Sequence, residues 1–184
     1  FFRRKRTPQL EAEWLVVGVG NPGTKYAATR HNVGYMALDE LAGELTPVPG
    51  VKALVQVRDG VAYARSTTYM NTTGEAVGPL AQALGVAPER IIVVHDELDL
   101  PAGKVRVKLG GNENGHNGLK SITEHLGTRD YLRVRMGIGR PPQGVAVPDW
   151  VLSPIDGDIS DQVSLAAKAV QVIVSEGPVS YTHL

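Results

Sequence analysis

The chain has 184 residues, of which 42% are hydrophobic and 21% charged, and its formal net charge is zero. This length suits one domain with a proper core, and the composition is ordinary for a soluble globular protein. Cysteine is absent, which excludes disulfides, thiolate metal sites and cysteine nucleophiles. No apolar run approaches the roughly 20 residues of a membrane span, and residues 1–6 lack the apolar core of a signal peptide. We therefore expect a cytoplasmic protein.

Strands and helices are predicted to alternate along the chain. Residues 1–13 are basic, then polar, without a period, which is typical of a flexible tail. Apolar patterns and turn signals after it predict strands at residues 15–19, 53–57, 61–66, 91–94, 104–109 and 131–138, and helices at residues 29–45, 74–84, 119–126 and 159–174. The alternation predicts a single three-layer α/β/α domain over residues 14–177, with a mixed, mostly parallel central sheet.

A glycine-rich turn follows the first predicted strand. Residues 18–23 read Gly-Val-Gly-Asn-Pro-Gly, which fits the Gly-x-Gly-x-x-Gly fingerprint of dinucleotide-binding folds. However, Pro22 removes a backbone N–H that the pyrophosphate would need at the start of a helix. Asp39 has roughly the spacing of the ribose-binding acid but lies inside a predicted helix. A nucleotide-dependent oxidoreductase is therefore disfavoured.

Four clusters of polar residues occur along the chain, at residues 21–32, 69–71, 95–99 and 115–118. Three of them come directly after predicted strands, so a parallel sheet would gather them at one edge. Asp96 can accept a hydrogen bond from one ring nitrogen of His31, which leaves the other nitrogen basic toward water. Asparagine amides can position that water or donate to a developing oxyanion. Each cluster alone also fits a helix cap or a turn, but together they favour direct attack by water, without a covalent intermediate.

Basic residues are concentrated between Pro101 and Arg140, where eight basic and three acidic residues give a net charge of +5. Side chains alternate along a strand, so the cations of residues 104–108 share one face, and those of residues 133–135 do as well. Such stripes suit a phosphate backbone, although a merely solvated strand face stays an alternative. Residues 110–115, between the two strands, look mobile, and we predict that they form a lid.

Motifs in all four clusters resemble those of the bacterial-type peptidyl-tRNA hydrolases. They are Gly-Val-Gly-Asn-Pro-Gly at residues 18–23 with Tyr26 and Thr-Arg-His-Asn at 29–32, Thr-Tyr-Met-Asn at 68–71, His-Asp-Glu-Leu-Asp-Leu at 95–100, and Gly-His-Asn-Gly-Leu at 115–119. The resemblance implies hydrolysis of the ester that joins a peptide to the 3′ ribose of tRNA, which recycles tRNA released prematurely from ribosomes. It implies peptidyl-tRNA as the partner, with no metal, no cofactor, no membrane and no obligate protein partner, and a monomer.

The resemblance also implies a role for particular residues. His31 would be the general base, Asp96 its partner and Asn21 a third catalytic residue. The residues implied to hold the peptide, the water and the terminal ribose are Tyr26, Met70, Asn71 and Asn117, beside Asn21. The cations implied to contact tRNA phosphate are Lys108 and Arg135, with Arg106 and Arg133 beside them.

The chain departs from the family pattern at several positions. Asn112 and Asn114 stand where the family's loop usually has glycine, and residues 65–67 replace the usual Lys-Pro element. The segment at residues 45–64 is shorter than usual, and residues 178–184 form an atypical C-terminal tail. Asparagine tolerates positive φ better than most residues, so the path of the loop is expected to survive. The alternative function is a catalytically silent RNA-binding relative, which would have no chemical reason to keep the catalytic set.

Overall fold

One seven-stranded sheet organises the chain, which a computed structural model describes over residues 10–177. The predicted tail at residues 178–184 and most of the tail at residues 1–13 lie outside the described residues. The strands in chain order are β1 (Trp14–Gly18), β2 (Thr46–Pro47), β3 (Ala53–Arg58), β4 (Val61–Ser66), β5 (Ile91–Glu97), β6 (Val105–Leu109) and β7 (Leu132–Gly137). Their order across the sheet is β2-β3-β4-β1-β5-β7-β6. Parallel pairing joins the four central strands β4, β1, β5 and β7, and the three other pairings are antiparallel, so the sheet is mixed as predicted.

Five α-helices are described within residues 10–177: α1 (Val33–Leu41), α2 (Gly74–Leu84), α3 (Asn117–Leu126), α4 (Val147–Val151) and α5 (Ser160–Glu176). Short 3-10 turns occupy Arg30–Asn32, Met70–Thr72 and Pro88–Arg90. Successive strand residues face opposite sides, so the sheet has two apolar faces. Val16 and Ile92 pack with α1 and α5, and Leu15 and Val93 pack with α2 and α3. The three-layer α/β/α architecture predicted from the sequence is therefore confirmed.

Several predicted boundaries are wrong, two of them for a tertiary reason, and one short helix was not predicted. The helix predicted at residues 29–45 ends at Leu41, because the chain turns extended at Ala42 and the Gly43 N–H donates to Gln56 of β3. Strand β5 continues three residues past the predicted end, since residues through Glu97 pair with β7. The short helix α4 was not predicted, because five residues give too little period to detect.

Strand β7 is buried on both faces except at Arg135, although the cations of residues 133–135 were expected to share a face open to phosphate or solvent. Helix α5 packs on one face of β7. Over the other face, the Arg133 guanidinium donates to the carbonyls of Gly111 and Asn112 in the loop at residues 110–115. The alternation of residue types could not reveal that a loop covers this charged face.

Close packing of α1 brings the 3-10 turn at Arg30–Asn32 to the carboxyl end of β5. A Cβ atom on Gly34 would lie 2.3 Å from the Val94 carbonyl oxygen, and one on Gly18 would lie 2.5 Å from the Gly34 carbonyl oxygen. Only glycine permits this approach of helix and strand backbones. The 3-10 turn just before α1 and the carboxyl end of β5 are thereby neighbours.

Before β1, residues 10–13 already make contacts with the sheet. Leu10 and Ala12 pack against the apolar cluster under α2 and α3, and the Glu13 N–H donates to the Gly60 carbonyl. Within residues 10–177, no helix combines the length and the apolar character that crossing a membrane requires.

Candidate active site

A cavity of about 570 Å³ opens at the carboxyl ends of the central strands. This is the edge at which open α/β sheets commonly bind ligands. The structure brings together here the seven residues predicted to act in catalysis or to bind the peptide end of the substrate, which are Asn21, Tyr26, His31, Met70, Asn71, Asp96 and Asn117. They come from four separate segments, so the sheet gathers the polar clusters at one edge.

Asp96, the sixth residue of β5, lies between two histidines. Its Oδ2 is 2.7 Å from Nδ1 of His31, and its Oδ1 is 2.8 Å from Nε2 of His116. The carboxylate is buried, and both imidazoles are largely so. The pairing predicted between His31 and Asp96 is thus present in the structure, and His116 is a second partner that was not predicted.

The hydrogen bonds determine which ring nitrogens carry protons. Nδ1 of His116 accepts from the backbone N–H of Leu119, so the His116 proton sits on Nε2 and is donated to Asp96. Because the Asp96 carboxylate can only accept, Nδ1 of His31 is also a donor. Nε2 of His31 therefore keeps its lone pair, in a side chain that lines the cavity.

Charge pairing shifts the pKa of both partners. Burial alone would lower the pKa of His31, but the charge of Asp96 and the hydrogen bond to it outweigh burial and raise it above its usual 6.5. Burial would likewise raise the pKa of Asp96, yet the attraction and hydrogen bonds of His31 and His116 hold it well below its ordinary range. Asp96 is accordingly an anion at neutral pH and stabilises a positive charge on His31.

A third histidine, His95, packs next to Asp96 and His116. Burial and, secondarily, repulsion from His116 lower the pKa of His95 to about 3. Its Nδ1–H donates to the backbone carbonyl of Asp96, and its ring meets the His116 ring edge-on with centroids 5.2 Å apart. His95 is therefore a neutral packing group that supports the two residues in front of it.

Asn21 is held in one orientation by its neighbours. The Met70 N–H donates to its Oδ1 at 2.7 Å, while its backbone exchanges two hydrogen bonds with the side chain of Asn32. With Oδ1 committed, the amide group of Asn21 has Nδ2 as its free donor in the cavity. Such a fixed donor suits a developing negative charge on an ester oxygen.

The predicted substrate-binding residues differ in their solvent exposure. Asn71 and Asn117 are exposed in the cavity wall, and Tyr26 is half-buried there, with its ring 6.3 Å edge-on from that of Tyr69. Met70 is only 2% exposed. Its amide holds Asn21 and its sulfur lies against Gly118 in α3, so Met70 mainly supports the wall.

The four predicted phosphate-binding cations share one sheet face but not one environment. Arg106 is paired with Arg135, and Lys108 with Arg133, across β6 and β7. Arg106 and Lys108 are exposed, and Arg135 is half-buried, 3.9 Å from Glu97.

Arg133 is 2% exposed, and its guanidinium donates hydrogen bonds to the carbonyls of Gly111 and Asn112. The structure therefore corrects the expectation for Arg133: it anchors the loop rather than facing a phosphate. Asn114 has a φ of 52°, as expected of an asparagine in place of glycine, and its Nδ2 donates to Glu97.

Among the described residues, His31, Asp96 and His116 are the group that comes closest to a metal site, with one ligand atom each and all three atoms within 4.8 Å. A metal ion would need the lone pairs of Nδ1 of His31 and Nε2 of His116, which here carry the protons donated to Asp96. Moving the His116 proton to Nδ1 would leave two N–H groups facing each other, because the Leu119 N–H donates to that nitrogen. The arrangement fits a hydrogen-bonded triad better than a metal centre, and the expectation of metal-free action stays a prediction.

The sequence interpretation missed two contributors to the cavity. His116 was noted within a motif but given no role, because histidine is an unusual helix N-cap and its side chain's contact with Asp96 spans 20 positions. The second is an apolar wall supplied by α4, whose residues Val147, Pro148 and Val151 line the cavity. Its only signal was a short apolar run with a proline at the start.

Comparison with known proteins gives a consistent result. A profile described as peptidyl-tRNA hydrolase matches residues 15–182. A protein named peptidyl-tRNA hydrolase 2 from Corynebacterium glutamicum is 62% identical over 177 residues, covering 92% of this chain and 86% of that protein. A peptidyl-tRNA hydrolase from Thermus thermophilus is 48% identical over 168 residues, covering 89% and 91%. The crystal structure of peptidyl-tRNA hydrolase from Acinetobacter baumannii superposes with a TM-score of 0.75 at 35% identity, covering 92% of this chain and 89% of that one.

Proposed function

Because the chain belongs to the peptidyl-tRNA hydrolase family, we propose that it hydrolyses the ester between a peptide and the 3′ ribose of tRNA with a water molecule activated by His31. The observation that carries the proposal is the His31–Asp96 pair. It leaves one basic nitrogen in a cavity whose lining includes the amide side chains of Asn21, Asn71 and Asn117. In the described residues the cavity offers no serine for a nucleophile, which favours direct attack by water.

The reaction begins with a proton transfer from water to Nε2 of His31. The imidazolium that forms keeps its Nδ1–H bond to Asp96, whose negative charge stabilises it. The water oxygen bonds to the ester carbonyl carbon, and the carbonyl oxygen becomes an oxyanion. Nδ2 of Asn21, whose Oδ1 is held by the Met70 N–H, donates a hydrogen bond that stabilises this oxyanion.

The tetrahedral intermediate collapses when the bond between the carbonyl carbon and the ribose oxygen breaks. The proton held on Nε2 of His31 returns to the leaving oxygen, which restores the ribose hydroxyl. The products are the peptide carboxylic acid and tRNA, and His31 regains its starting state. His31 thus serves as base and then as acid, for which a pKa near neutrality is suited.

The remaining residues hold the substrate. Asn71 and Asn117 offer exposed amides to the peptide and the terminal ribose. Arg106, Lys108 and Arg135 lie on one sheet face and bind the tRNA phosphates. Contacts of this kind position a nucleic acid without reading its sequence. A cytoplasmic location and action as a monomer complete the proposal.

The proposal is tested by incubating the protein with tRNA that carries an N-acetylated amino acid. Release of the acetylated amino acid, faster than spontaneous hydrolysis, supports the esterase. A folded protein that binds tRNA and releases nothing would overturn it, and would favour a catalytically silent RNA-binding protein.

A further inference from the structure

The cavity has two chemically different walls. One wall carries His31, Asp96 and the amides of the asparagine residues. The other is formed by α4 and the residue after it, with Val147, Pro148, Val151 and Leu152. This set, called the α4 wall below, offers no side-chain donor or acceptor.

The α4 wall is apolar surface left in contact with solvent. Val147 is 38% exposed and Leu152 43%. With Tyr69 at 62%, three of the seven large hydrophobic residues exposed within residues 10–177 line this one cavity. Exposed apolar surface that is gathered in a concave site commonly marks a binding surface.

Arg30 holds the α4 wall in place from behind. Its guanidinium lies 3.7 Å from the ring centroid of Trp150, and it donates to Ser153 Oγ and to the Pro154 carbonyl. The indole N–H of Trp150 donates to the Gly139 carbonyl at 2.9 Å. Arg30 directly precedes His31 in the same 3-10 turn, so the general base and the apolar wall share one support.

The two ends of the substrate would meet opposite faces of the sheet. The cations of β6 and β7 alternate with Val107 and Val134, which belong to the apolar cluster of α1 and α5, so the cations face the side of α2 and α3. Val151 and Trp150 of α4 pack with the α1 and α5 cluster instead. A phosphate or ribose gains nothing from valine and leucine side chains, whereas an apolar amino-acid side chain does.

We propose that the α4 wall binds the apolar side chain of the amino acid that carries the ester, so that the protein favours peptides joined to tRNA through an apolar residue. This inference rests on the proposed function, since it divides the cavity into a tRNA side and a peptide side. The occupant is the side chain itself, and the peptide backbone is left to the amides of the opposite wall.

The test compares two esters on one tRNA. A single tRNA is acylated chemically with N-acetyl-leucine or N-acetyl-glycine, and kcat/KM for each is divided by the rate of spontaneous hydrolysis of the same ester. Burial of one leucine side chain against a half-open wall should favour the leucyl ester about tenfold. The double variant V147S/L152S should bring this preference close to one, mainly by lowering kcat/KM on the leucyl ester.

L165S is the matched control, because Leu165 is 53% exposed on α5 and does not line the cavity. It should keep the preference of the parent. Equal normalised rates for the two esters in the parent, or a preference unchanged in V147S/L152S, would overturn the inference while hydrolysis itself stands. Cleavage of neither ester by a folded parent would overturn the proposed function, and the inference with it.

Discussion

Nδ1 of His31 lies 2.7 Å from Oδ2 of Asp96, although the two residues are 65 positions apart in the chain. The contact exists because Gly18 and Gly34 let α1 sit directly on the central strands, so that the turn before α1 meets the end of β5. Any substitution that lifts α1 from the sheet would separate His31 from Asp96. The glycines at this crossing therefore contribute to the His31–Asp96 contact through position alone.

Replacing His31 with alanine should lower kcat by roughly 10²- to 10⁴-fold, the usual contribution of a general base. Affinity for tRNA should be retained, because no phosphate contact is removed. Release of N-acetyl-leucine from tRNA measures the rate, and gel-shift titration measures binding. H125A is the control, since His125 is exposed on α3 and bonds within its own helix. Near-normal turnover of H31A would remove His31 from the mechanism.

Replacing Asp96 with asparagine should move the acidic limb of the pH profile to lower pH. In the parent, Asp96 raises the pKa of His31, so activity is lost as pH falls through that raised value and the base becomes protonated. Without the charge, burial lowers the pKa of His31 and the base stays neutral to lower pH. The plateau of kcat should also fall at least about tenfold, because the imidazolium loses its counter-charge.

The measurement is kcat between pH 5 and 9 for the parent, D96N and D99N. Asp99 belongs to the same polar segment but pairs with Arg140 at the surface, so D99N should keep the parent profile. An acidic limb that stays in place in D96N would mean that Asp96 does not set the protonation of the base.

Replacing His95 with asparagine should make the free energy of unfolding less dependent on pH. The folded protein keeps His95 neutral down to about pH 3, whereas the unfolded chain binds a proton below about pH 6.5. Stability therefore falls as pH drops below 6.5, by up to roughly 1.4 kcal/mol per pH unit for this group. Asparagine does not titrate, and its amide can replace the Nδ1–H donor toward the Asp96 carbonyl.

Urea unfolding at pH 7.5, 6.5 and 5 measures the effect. All other groups titrate in both proteins, so the change in the stability difference between parent and H95N isolates His95. The difference should shift in favour of H95N as pH falls. Curves that stay parallel over this range would contradict a neutral, buried His95.

Replacing Lys108 with alanine should weaken tRNA binding and reduce its salt dependence. Each phosphate contact that is lost lowers the slope of log K against log salt by about one. The slope is obtained from binding titrations at several salt concentrations. K168A serves as the control, because Lys168 is exposed on α5, on the opposite face of the sheet. An equal slope for K108A and the parent would exclude Lys108 as a tRNA contact.

Replacing Arg30 with lysine should loosen the α4 wall even though the charge is kept. Lysine cannot reproduce the guanidinium contact with the Trp150 ring together with the hydrogen bonds to Ser153, Pro154 and Asp156, so we expect a loss of about 1–3 kcal/mol in stability and a higher KM. Urea unfolding and steady-state kinetics measure the two effects.

R65K separates a local effect at the wall from general loss of stability. Arg65 also stacks on an aromatic ring, that of Tyr35 at 4.0 Å, but it does not line the cavity. It should lose stability with little change in KM. A KM that rises as much in R65K as in R30K would show that the α4 wall is not the cause.

Local sequence patterns determined the elements that local interactions control. The boundaries of α2 were predicted at residues 74–84, because an apolar period runs up to Gly85, whose φ of 70° ends the helix. Strands β3 and β4 were predicted at residues 53–57 and 61–66, and the Asp-Gly turn that joins them has positive φ at both Asp59 and Gly60. Residue types and their motifs likewise predicted a set of polar side chains that the structure brings together in one cavity.

Tertiary structure alone decided which of those side chains meet. The second bond of Asp96, to His116, depends on where α3 begins relative to β5, and the burial of Arg133 depends on a loop that crosses β7. The α4 wall is held at the cavity by contacts of Trp150 with Arg30 and with the Gly139 carbonyl. Hydrophobic period and turn propensity act over a few neighbouring residues, whereas these contacts join positions 11 or more apart, so they are settled only when the sheet, its helices and its loops pack together.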